Sequence, residues 1–323
     1  MTIVILGLGK MGSRIAKKLS SKHQVYVWNR TKADVEKFAA ENSKVKVVNE
    51  LSEIQYLKPP RIIWLMLPAG EPTVEVLYEV KKHVLPGDVV IDGGNAYWKD
   101  GEKRFLEFDN IGVNFLGIGI SGGLFGEKNG YPLMIGGSKD GYDLIKPILE
   151  TLSKPNGAYE YFGEGGAGHF VKMVHNGIEY GMMQSIGEGF EILQKAPLKF
   201  DLKKVAKLWQ KGTIISGFLI DRAADALSKN PNLNNIVGEI ESSGEADWAV
   251  EAAREEGVDV EIIEASLEFR KRSKTDKRIQ ESFTAKLIAA LRREFGGHSI
   301  RPIRQAFTLT NHRNEQGKEA KKK

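Results

Sequence analysis

One helical stretch of the sequence carries five polar side chains that share a face. In chain order they are Lys172, His175, Asn176, Glu179 and Tyr180. Counted from the lysine, the others follow at offsets of three, four, seven and eight residues, and an α-helix brings such offsets to one side. A solvated face with a Lys–Glu ion pair is the simpler interpretation. Such a face rarely combines His-Asn and Tyr with several glycines, so the pattern favours a functional site.

These residue types can perform acid–base chemistry on a hydroxy acid. A free lysine, with a pKa of about 10.4, is too protonated at neutral pH to accept a hydroxyl proton. Desolvation in a cleft shifts such a pKa toward ~7–8, where a base works best. Glu179 lies two turns further along and can return a proton. We therefore predict that the catalytic residues are Lys172, Glu179, Asn176 and His175.

Two glycine-rich segments follow predicted strands and are expected to bind the substrate. Asn95 ends the run Ile-Asp-Gly-Gly-Asn, and Ser121 precedes Gly122 and Gly123. Ligands of open α/β sheets bind at the carboxyl ends of the strands, and bare backbone amides suit a carboxylate. Each segment alone could be a simple turn. Together they predict a polar rim around a bound acid.

The N-terminal sequence predicts a dinucleotide site. A Gly-x-Gly-x-x-Gly motif stands directly after a predicted strand and opens a helix. Its glycines permit a tight turn, close approach of a pyrophosphate and close helix–strand packing. The cofactor contacts predicted in this loop are Gly7, Gly9, Lys10, Met11 and Gly12.

The end of the second predicted strand indicates which dinucleotide binds. NAD enzymes usually place an acid there for the ribose 2′-hydroxyl, whereas this chain has Asn29, Arg30 and Thr31. An arginine can hold a 2′-phosphate with a planar fork of donors, so NADP is favoured over NAD. A plain surface arginine is the alternative. Leu67 and Asn95, at the ends of later strands, complete the predicted cofactor contacts.

These residues require a particular architecture to bring them together. Short apolar runs alternate with helical patterns, which predicts an α/β fold with a doubly wound, Rossmann-type parallel sheet. The predicted strands cover residues 2–7, 24–29, 46–48, 61–67, 88–92, 113–116 and 133–135. A proline-free helix is predicted over 168–194, with internal glycines that allow close packing. The predicted domains are a nucleotide-binding domain at 1–163, an all-helical substrate and dimerisation domain at 164–300, and a basic tail at 301–323.

Composition excludes several classes of protein. The 323 residues include no cysteine, and the six histidines form no spaced pair typical of a metal site, so no metal is expected. No apolar run has the roughly 18 residues of a membrane span, and the apolar N-terminus fits a buried strand, so we expect a cytoplasmic protein. Lysines in the tail could touch nucleic acid. A solvated end is the preferred interpretation, and no nucleic-acid partner is expected.

Taken together, the motifs resemble the short form of the 6-phosphogluconate dehydrogenase family within the β-hydroxyacid dehydrogenases. The resemblance covers about residues 2–298 and is carried by GLGKMG, NRT, IDGGN, GISGG, GHFVKMVHNGIEY and RREFGGH. It implies NADP-dependent oxidative decarboxylation of 6-phosphogluconate to ribulose 5-phosphate and CO2, a step of the pentose phosphate pathway. In that reaction Lys172 would be the general base and Glu179 the general acid.

The resemblance also implies roles for the remaining site residues. Asn176 and His175 would hold the sugar hydroxyls, and Tyr180 would reach the distal phosphate. The carboxylate end would be oriented by Asn95, Ser121, Gly122 and Gly123. Arg292 and His298 match residues donated by a second subunit, which implies a homodimer with shared active sites.

Two segments differ from the phosphate contacts that the resemblance implies. They are Ser216 and the stretch 243–249, and either Lys211 or Arg270 could compensate. A related dehydrogenase of another aldonate or a 3-hydroxy acid is therefore an alternative hypothesis. A non-catalytic NADP-binding protein is the third, and the paired lysine and glutamate argue against it.

Overall fold

The computed structural model describes residues 1–242 and 244–302. The chain divides into two units, Met1–His175 and Asn176–Lys323. This boundary falls inside the long helix rather than at the 163/164 junction that the sequence suggests, so the earlier junction remains a proposal. The predicted basic tail lies almost wholly outside the described residues, as do its lysines.

The first unit is built on one eight-stranded sheet in the order β3-β2-β1-β4-β5-β6-β7-β8. The strands are β1 (Thr2–Leu6), β2 (Gln24–Trp28), β3 (Val45–Val47), β4 (Arg61–Leu65), β5 (Val89–Asp92), β6 (Asn114–Ile120), β7 (Leu133–Gly137) and β8 (Tyr159–Tyr161). The predicted doubly wound fold is confirmed. Two details differ: β7 runs antiparallel to β6, and the short β8 was not predicted.

Helices cover the sheet and connect its strands. They are α1 (Gly12–Leu19), α2 (Lys32–Glu41), α3 (Glu71–Lys81), α4 (Trp98–Asp109), α5 (Gly126–Asn129) and α6 (Lys139–Ser153), with 3-10 turns at Leu51–Tyr56 and Gly123–Phe125. Alternate side chains of β1 enter different layers: Ile3 and Ile5 pack on one face and Val4 and Leu6 on the other. The strand order reverses beside β1, which leaves a crevice at its carboxyl end for a ligand.

The second unit is helical. It contains most of α7 (Ala167–Lys195), then α8 (Leu202–Trp209), α9 (Phe218–Lys229), α10 (Glu245–Glu255), α11 (Glu261–Ser273), α12 (Lys277–Glu281) and α13 (Phe283–Gly296). The predicted long helix is confirmed as α7, whose Met183 and Phe190 are fully buried. Within the ranges that the structure describes, no helix is long and apolar enough to cross a membrane.

Glycines allow the first turns of α7 to lie directly on the β6–β7 pair. Gly117 and Gly136 are opposite each other in the two strands. A Cβ built on Gly168 of α7 would lie 2.3 Å from the carbonyl oxygen of Gly117 and 2.5 Å from the amide nitrogen of Gly136. A Cβ on Gly119 would lie 2.3 Å from the Cβ of Lys172. Helix and strands therefore meet at backbone distance, and Lys172 is fixed over β6.

We predict that Gly168→Ala destabilises the protein by about 1–3 kcal/mol, because the new methyl group would collide with backbone atoms that no rotamer change can move. Gly189→Ala is the matched control on the same helix, since a Cβ there meets nothing within 4 Å. It should stabilise the helix by up to about 1 kcal/mol. Urea denaturation measures both. Equal stability of Gly168→Ala and wild type would refute the close contact.

Candidate functional site

The glycine loop after β1 has the shape that a dinucleotide needs. Gly7 has φ +104°, and a Cβ there would lie 2.6 Å from the carbonyl oxygen of Met66. A Cβ on Gly12 would lie 2.0 Å from the Gly7 carbonyl oxygen, whereas one on Gly9 meets nothing within 4 Å. The outer glycines thus serve the turn and the helix packing, and the middle one leaves open backbone at the start of α1. Lys10 is exposed, and Met11 packs against the core.

The end of β2 is tied to this loop. The Asn29 side chain accepts a hydrogen bond from the Leu8 amide at 3.2 Å and donates one to Asp34 at 3.3 Å. Arg30 is exposed and has no ion pair in the described part of the chain. Thr31 is exposed as well and directly precedes the first residue of α2. Arg30 is therefore a guanidinium available to an anion beside the dinucleotide loop.

The predicted ligand residues after β4 and β5 lie together. A Cβ on Gly94 would lie 2.6 Å from the carbonyl oxygen of Leu67, so the two strand ends are in close contact. Asn95 is exposed at this edge. Asp92 fixes the turn by accepting from the Gly94 amide at 3.1 Å and from Arg104 at 2.6 Å. The buried Asp92–Arg104 pair was not predicted as part of the site.

Lys172, His175 and Ser121 form a connected set in the first unit. Lys172 is only 8% exposed. Its Nζ lies 3.4 Å from Nδ1 of His175, and Nε2 of the same ring lies 3.4 Å from Oγ of Ser121. Gly122 and Gly123 follow with φ of +92° and +50°. The imidazole therefore bridges the predicted base and the predicted carboxylate-binding segment.

His169 is a residue of this region that sequence analysis missed. Its ring is buried, and Nε2 lies 3.1 Å from the carbonyl oxygen of Asp92, to which it donates as a neutral imidazole. Burial lowers its pKa, an effect that the nearby Asp92 charge opposes. A helical offset of three from Lys172 could have identified it, but its partner lies far away in the sequence. His169 joins α7 to the end of β5.

The rest of the polar face lies in the helical unit. Asn176 is buried, Glu179 is partly buried, and Tyr180 is 5% exposed. The Tyr180 hydroxyl lies 3.4 Å from Oγ of Ser242, and the Arg270 guanidinium lies 3.2 Å from the centroid of the Tyr180 ring. Burial lowers the pKa of Arg270 to about 10. A cation thus stacks on the tyrosine predicted to face the far end of the substrate.

Arg292 and His298 were implied to serve a second subunit. Arg292 is buried within its own chain and donates to the carbonyl oxygen of Glu241. Burial lowers the pKa of Arg292, an effect that the charges of Tyr180 and Glu179 oppose. It is therefore near its own chain's tyrosine. His298 is partly buried, with its ring 6.4 Å from that of Phe295. Donation of these residues to a partner stays a prediction.

The segments that differ from the expected phosphate contacts supply no cation themselves. Ser216 and Lys211 are exposed, and Asp247 pairs with Lys271 at 2.7 Å. Ser243 lies outside the described residues. Arg270 is instead 1% exposed beside Tyr180, so it is the better placed of the two suggested replacements.

A doubly wound sheet, a glycine loop after its first strand and the buried lysine of α7 define a nicotinamide-dinucleotide-binding oxidoreductase. The model of the NAD-binding domain of 6-phosphogluconate dehydrogenase matches residues 2–164, and that of its C-terminal domain matches residues 168–312. The chain belongs to the 6-phosphogluconate dehydrogenase family.

Individual relatives agree with this family assignment. The chain is 40% identical over 300 residues to YqeC of Bacillus subtilis, provisionally named a 6-phosphogluconate dehydrogenase, covering 93% of this chain and 99% of YqeC. An NAD(+)-dependent, decarboxylating 6-phosphogluconate dehydrogenase of Haloferax volcanii is 32% identical, covering 93% of this chain and 98% of that protein. The Plasmodium falciparum enzyme, solved with NADP+ and with 6-phosphogluconate, superposes with a TM-score of 0.77 at 33% identity. That match covers 85% of this chain and 62% of the Plasmodium chain.

The buried state of His169 predicts a pH dependence of stability. Its folded pKa lies below the ordinary value of 6.5, so the unfolded chain takes up a proton near that pH before the folded chain does. The contribution of His169 to the free energy of unfolding is therefore fully present above about pH 6.5. Below that pH the free energy of unfolding falls by up to about 1.4 kcal/mol per pH unit. The lowered pKa of His23 adds to the same trend. His169→Asn retains a donor for the Asp92 carbonyl. In this variant the free energy of unfolding, measured by urea denaturation at several pH values, should depend less steeply on pH. An unchanged slope would contradict the assignment.

Proposed function

We propose that this protein oxidises and decarboxylates 6-phosphogluconate to ribulose 5-phosphate and CO2, with NADP as the oxidant. The observation that carries the proposal is the buried Lys172, linked through His175 to Ser121. A buried amine that is linked through an imidazole to a hydroxyl, with glycine backbone next to that hydroxyl, can bind a hydroxy acid and accept its proton. Membership of the family supports the same reaction.

The oxidation step uses the lysine as a base. Lys172 is buried and its Nζ lies 3.4 Å from Nδ1 of His175, and in this proposal it accepts the proton of the C3 hydroxyl as a general base. The bound nicotinamide supplies the acceptor for the hydride that leaves C3. His175 and Asn176 hold neighbouring hydroxyls, and the correct alignment of the reacting atoms contributes much of the rate.

Loss of CO2 follows from the product of oxidation. The C3 ketone is β to the carboxylate, so it can accept the electron pair of the breaking C1–C2 bond. Lys172, now protonated, polarises the ketone oxygen and gives it a proton as CO2 leaves. Glu179 then protonates the former C2, which becomes C1 of ribulose 5-phosphate, while Lys172 takes the enediol hydroxyl proton back and the ketone re-forms. The carboxylate is held before this step by Asn95, Ser121, Gly122 and Gly123.

The distal phosphate has a cationic environment in the helical unit. Arg270 and Arg292 are both buried near Tyr180, and Nη1 of Arg270 is buried without a hydrogen-bond partner among the described residues. Two guanidinium groups and a hydroxyl suit a phosphate dianion. This set supports a phosphorylated substrate over an uncharged aldonate.

The dinucleotide residues favour NADP, although family relatives include an enzyme named for NAD(+). The glycine loop, Lys10, Met11, Leu67 and Asn95 surround the proposed binding edge, and Arg30 provides the charge for a 2′-phosphate.

We further propose a homodimer. Exposed apolar side chains on α7 and α11 support an interface: Ile178 and Met182 are both 52% exposed, and Ile262 is 67% exposed.

The substrate assignment is tested by absorbance at 340 nm with 6-phosphogluconate, gluconate and 3-hydroxyisobutyrate, each with NADP and with NAD. The highest kcat/KM is expected for 6-phosphogluconate with NADP. A higher kcat/KM for gluconate or for 3-hydroxyisobutyrate would show that the proposed substrate is wrong. The proposed role of Lys172 as the base would still stand.

Lys172→Met should lower kcat by about 10²–10⁴, the range for loss of a general base, because no other buried amine adjoins Ser121 in the described residues. Dinucleotide affinity, measured by calorimetry, should be unchanged. Lys195→Met, at the exposed end of the same helix, is the control and should retain activity. Full activity of Lys172→Met would favour a protein whose lysine is not catalytic.

Arg30→Ala should weaken NADP binding by roughly 10–100-fold and leave NAD binding unaffected, because a charged hydrogen bond to phosphate contributes about 1.5–3 kcal/mol. Lys32→Ala is the neighbouring control, since the Lys32 ammonium already pairs with Glu50 at 2.8 Å. Calorimetric titration with both dinucleotides measures the effect. Equal losses for NADP and NAD would show that Arg30 does not contact the 2′-phosphate.

A further inference from the structure

One acidic side chain connects two of the loops that the proposed function uses. Glu127 lies on α5, just after the 121–123 segment. Its carboxylate is 3.5 Å from Nε of Arg14 and 3.2 Å from Nζ of Lys17, and its backbone carbonyl accepts from Lys18 at 2.9 Å. The three cations all lie on α1, the helix that the dinucleotide loop opens.

Arg14 extends this connection into the dinucleotide loop itself. Its Nη1 donates to the carbonyl oxygen of Lys10 at 2.8 Å. The same guanidinium therefore contacts the loop through one nitrogen and Glu127 through another. Because the guanidinium is planar and rigid, fixing its Nε also fixes the direction of the bond to Lys10.

The segment that carries Glu127 is held together from within. A Cβ on Gly126 would lie 2.0 Å from the Tyr131 ring, which is fully buried, so α5 packs directly on that ring. The Gly130 amide donates to the Gly126 carbonyl at 2.9 Å, and the Ser121 amide donates to the Pro132 carbonyl at 2.9 Å. Glu127 and Ser121 therefore belong to one internally hydrogen-bonded segment, residues 121–132.

We propose that Glu127 is a positioning residue that, through Arg14, joins the dinucleotide loop to the substrate carboxylate segment, so that dinucleotide and substrate bind cooperatively. The cooperative part rests on the proposed function. Each ion pair by itself is partly exposed and weak. Together they fix Glu127, because three cationic side chains of α1 contact this one residue. One of the three, Arg14, also donates to the Lys10 carbonyl of the dinucleotide loop.

The first test uses dinucleotide binding alone. Glu127→Gln removes the charge and retains both the side-chain size and the backbone carbonyl that Lys18 contacts. NADPH fluorescence should show about 3–10-fold weaker binding for Glu127→Gln and for Arg14→Met, and the double variant should bind no more weakly than the worse single one. NADPH affinity of Glu127→Gln equal to wild type, or fully additive losses, would overturn the proposal.

The second test measures coupling between ligands. In wild type, saturating 6-phosphogluconate should tighten NADPH binding, and by linkage the reverse holds. Glu127→Gln should lose about 3–10-fold of this coupling, with kcat at saturation changed less than about twofold. Asp143→Asn is the control, because Asp143 pairs with Lys139 and Lys146 on the surface of α6. The same loss in the control would overturn the proposal.

The two tests separate failure of this inference from failure of the proposed function. If 6-phosphogluconate does not bind wild type, the substrate assignment is wrong, and the NADPH experiment alone decides the role of Glu127. If 6-phosphogluconate is turned over but Glu127→Gln couples the ligands as wild type does, the reaction stands and the role of Glu127 is refuted.

Discussion

The close backbone contact between the start of α7 and the β6–β7 pair is the constraint on which the candidate site depends. Gly168 meets the opposed Gly117 and Gly136, and Lys172 lies against Gly119. Any side chain at these glycines would move the helix outward, and packed interiors tolerate little such change. The contact determines where the lysine stands relative to Ser121, and the bond from His169 to the Asp92 carbonyl sets the helix against β5.

The cationic side chains of the candidate site differ in their exposure to solvent. Exposed groups near the dinucleotide loop, such as Arg30, are available to an incoming anion. Buried cations in the helical unit, Arg270 and Arg292, are held in place by aromatic stacking and by a backbone carbonyl. Burying a guanidinium without a paired carboxylate is unfavourable, and within the described residues neither arginine forms an ion pair, which agrees with the anionic substrate that we propose.

Local sequence patterns were sufficient to predict seven strands, the long helix and the dinucleotide loop, because apolar periodicity and glycine spacing are properties of neighbouring residues. They did not predict β8 or the antiparallel direction of β7, since strand pairing joins distant segments. Lys172, His175 and Ser121 were predicted separately, and the structure brings them together. His169 and Glu127 were missed because their partners lie 77 and about 110 residues away.

The central claim of the proposed function is that oxidation of 6-phosphogluconate by NADP is coupled to loss of its carboxylate carbon as CO2. The most direct measurement follows 6-phosphogluconate labelled with ¹³C at C1, incubated with NADP, and compares the ¹³CO2 released with the NADPH formed. Equal amounts of the two products are expected. NADPH formation without labelled CO2, or no NADPH at all, would contradict the account.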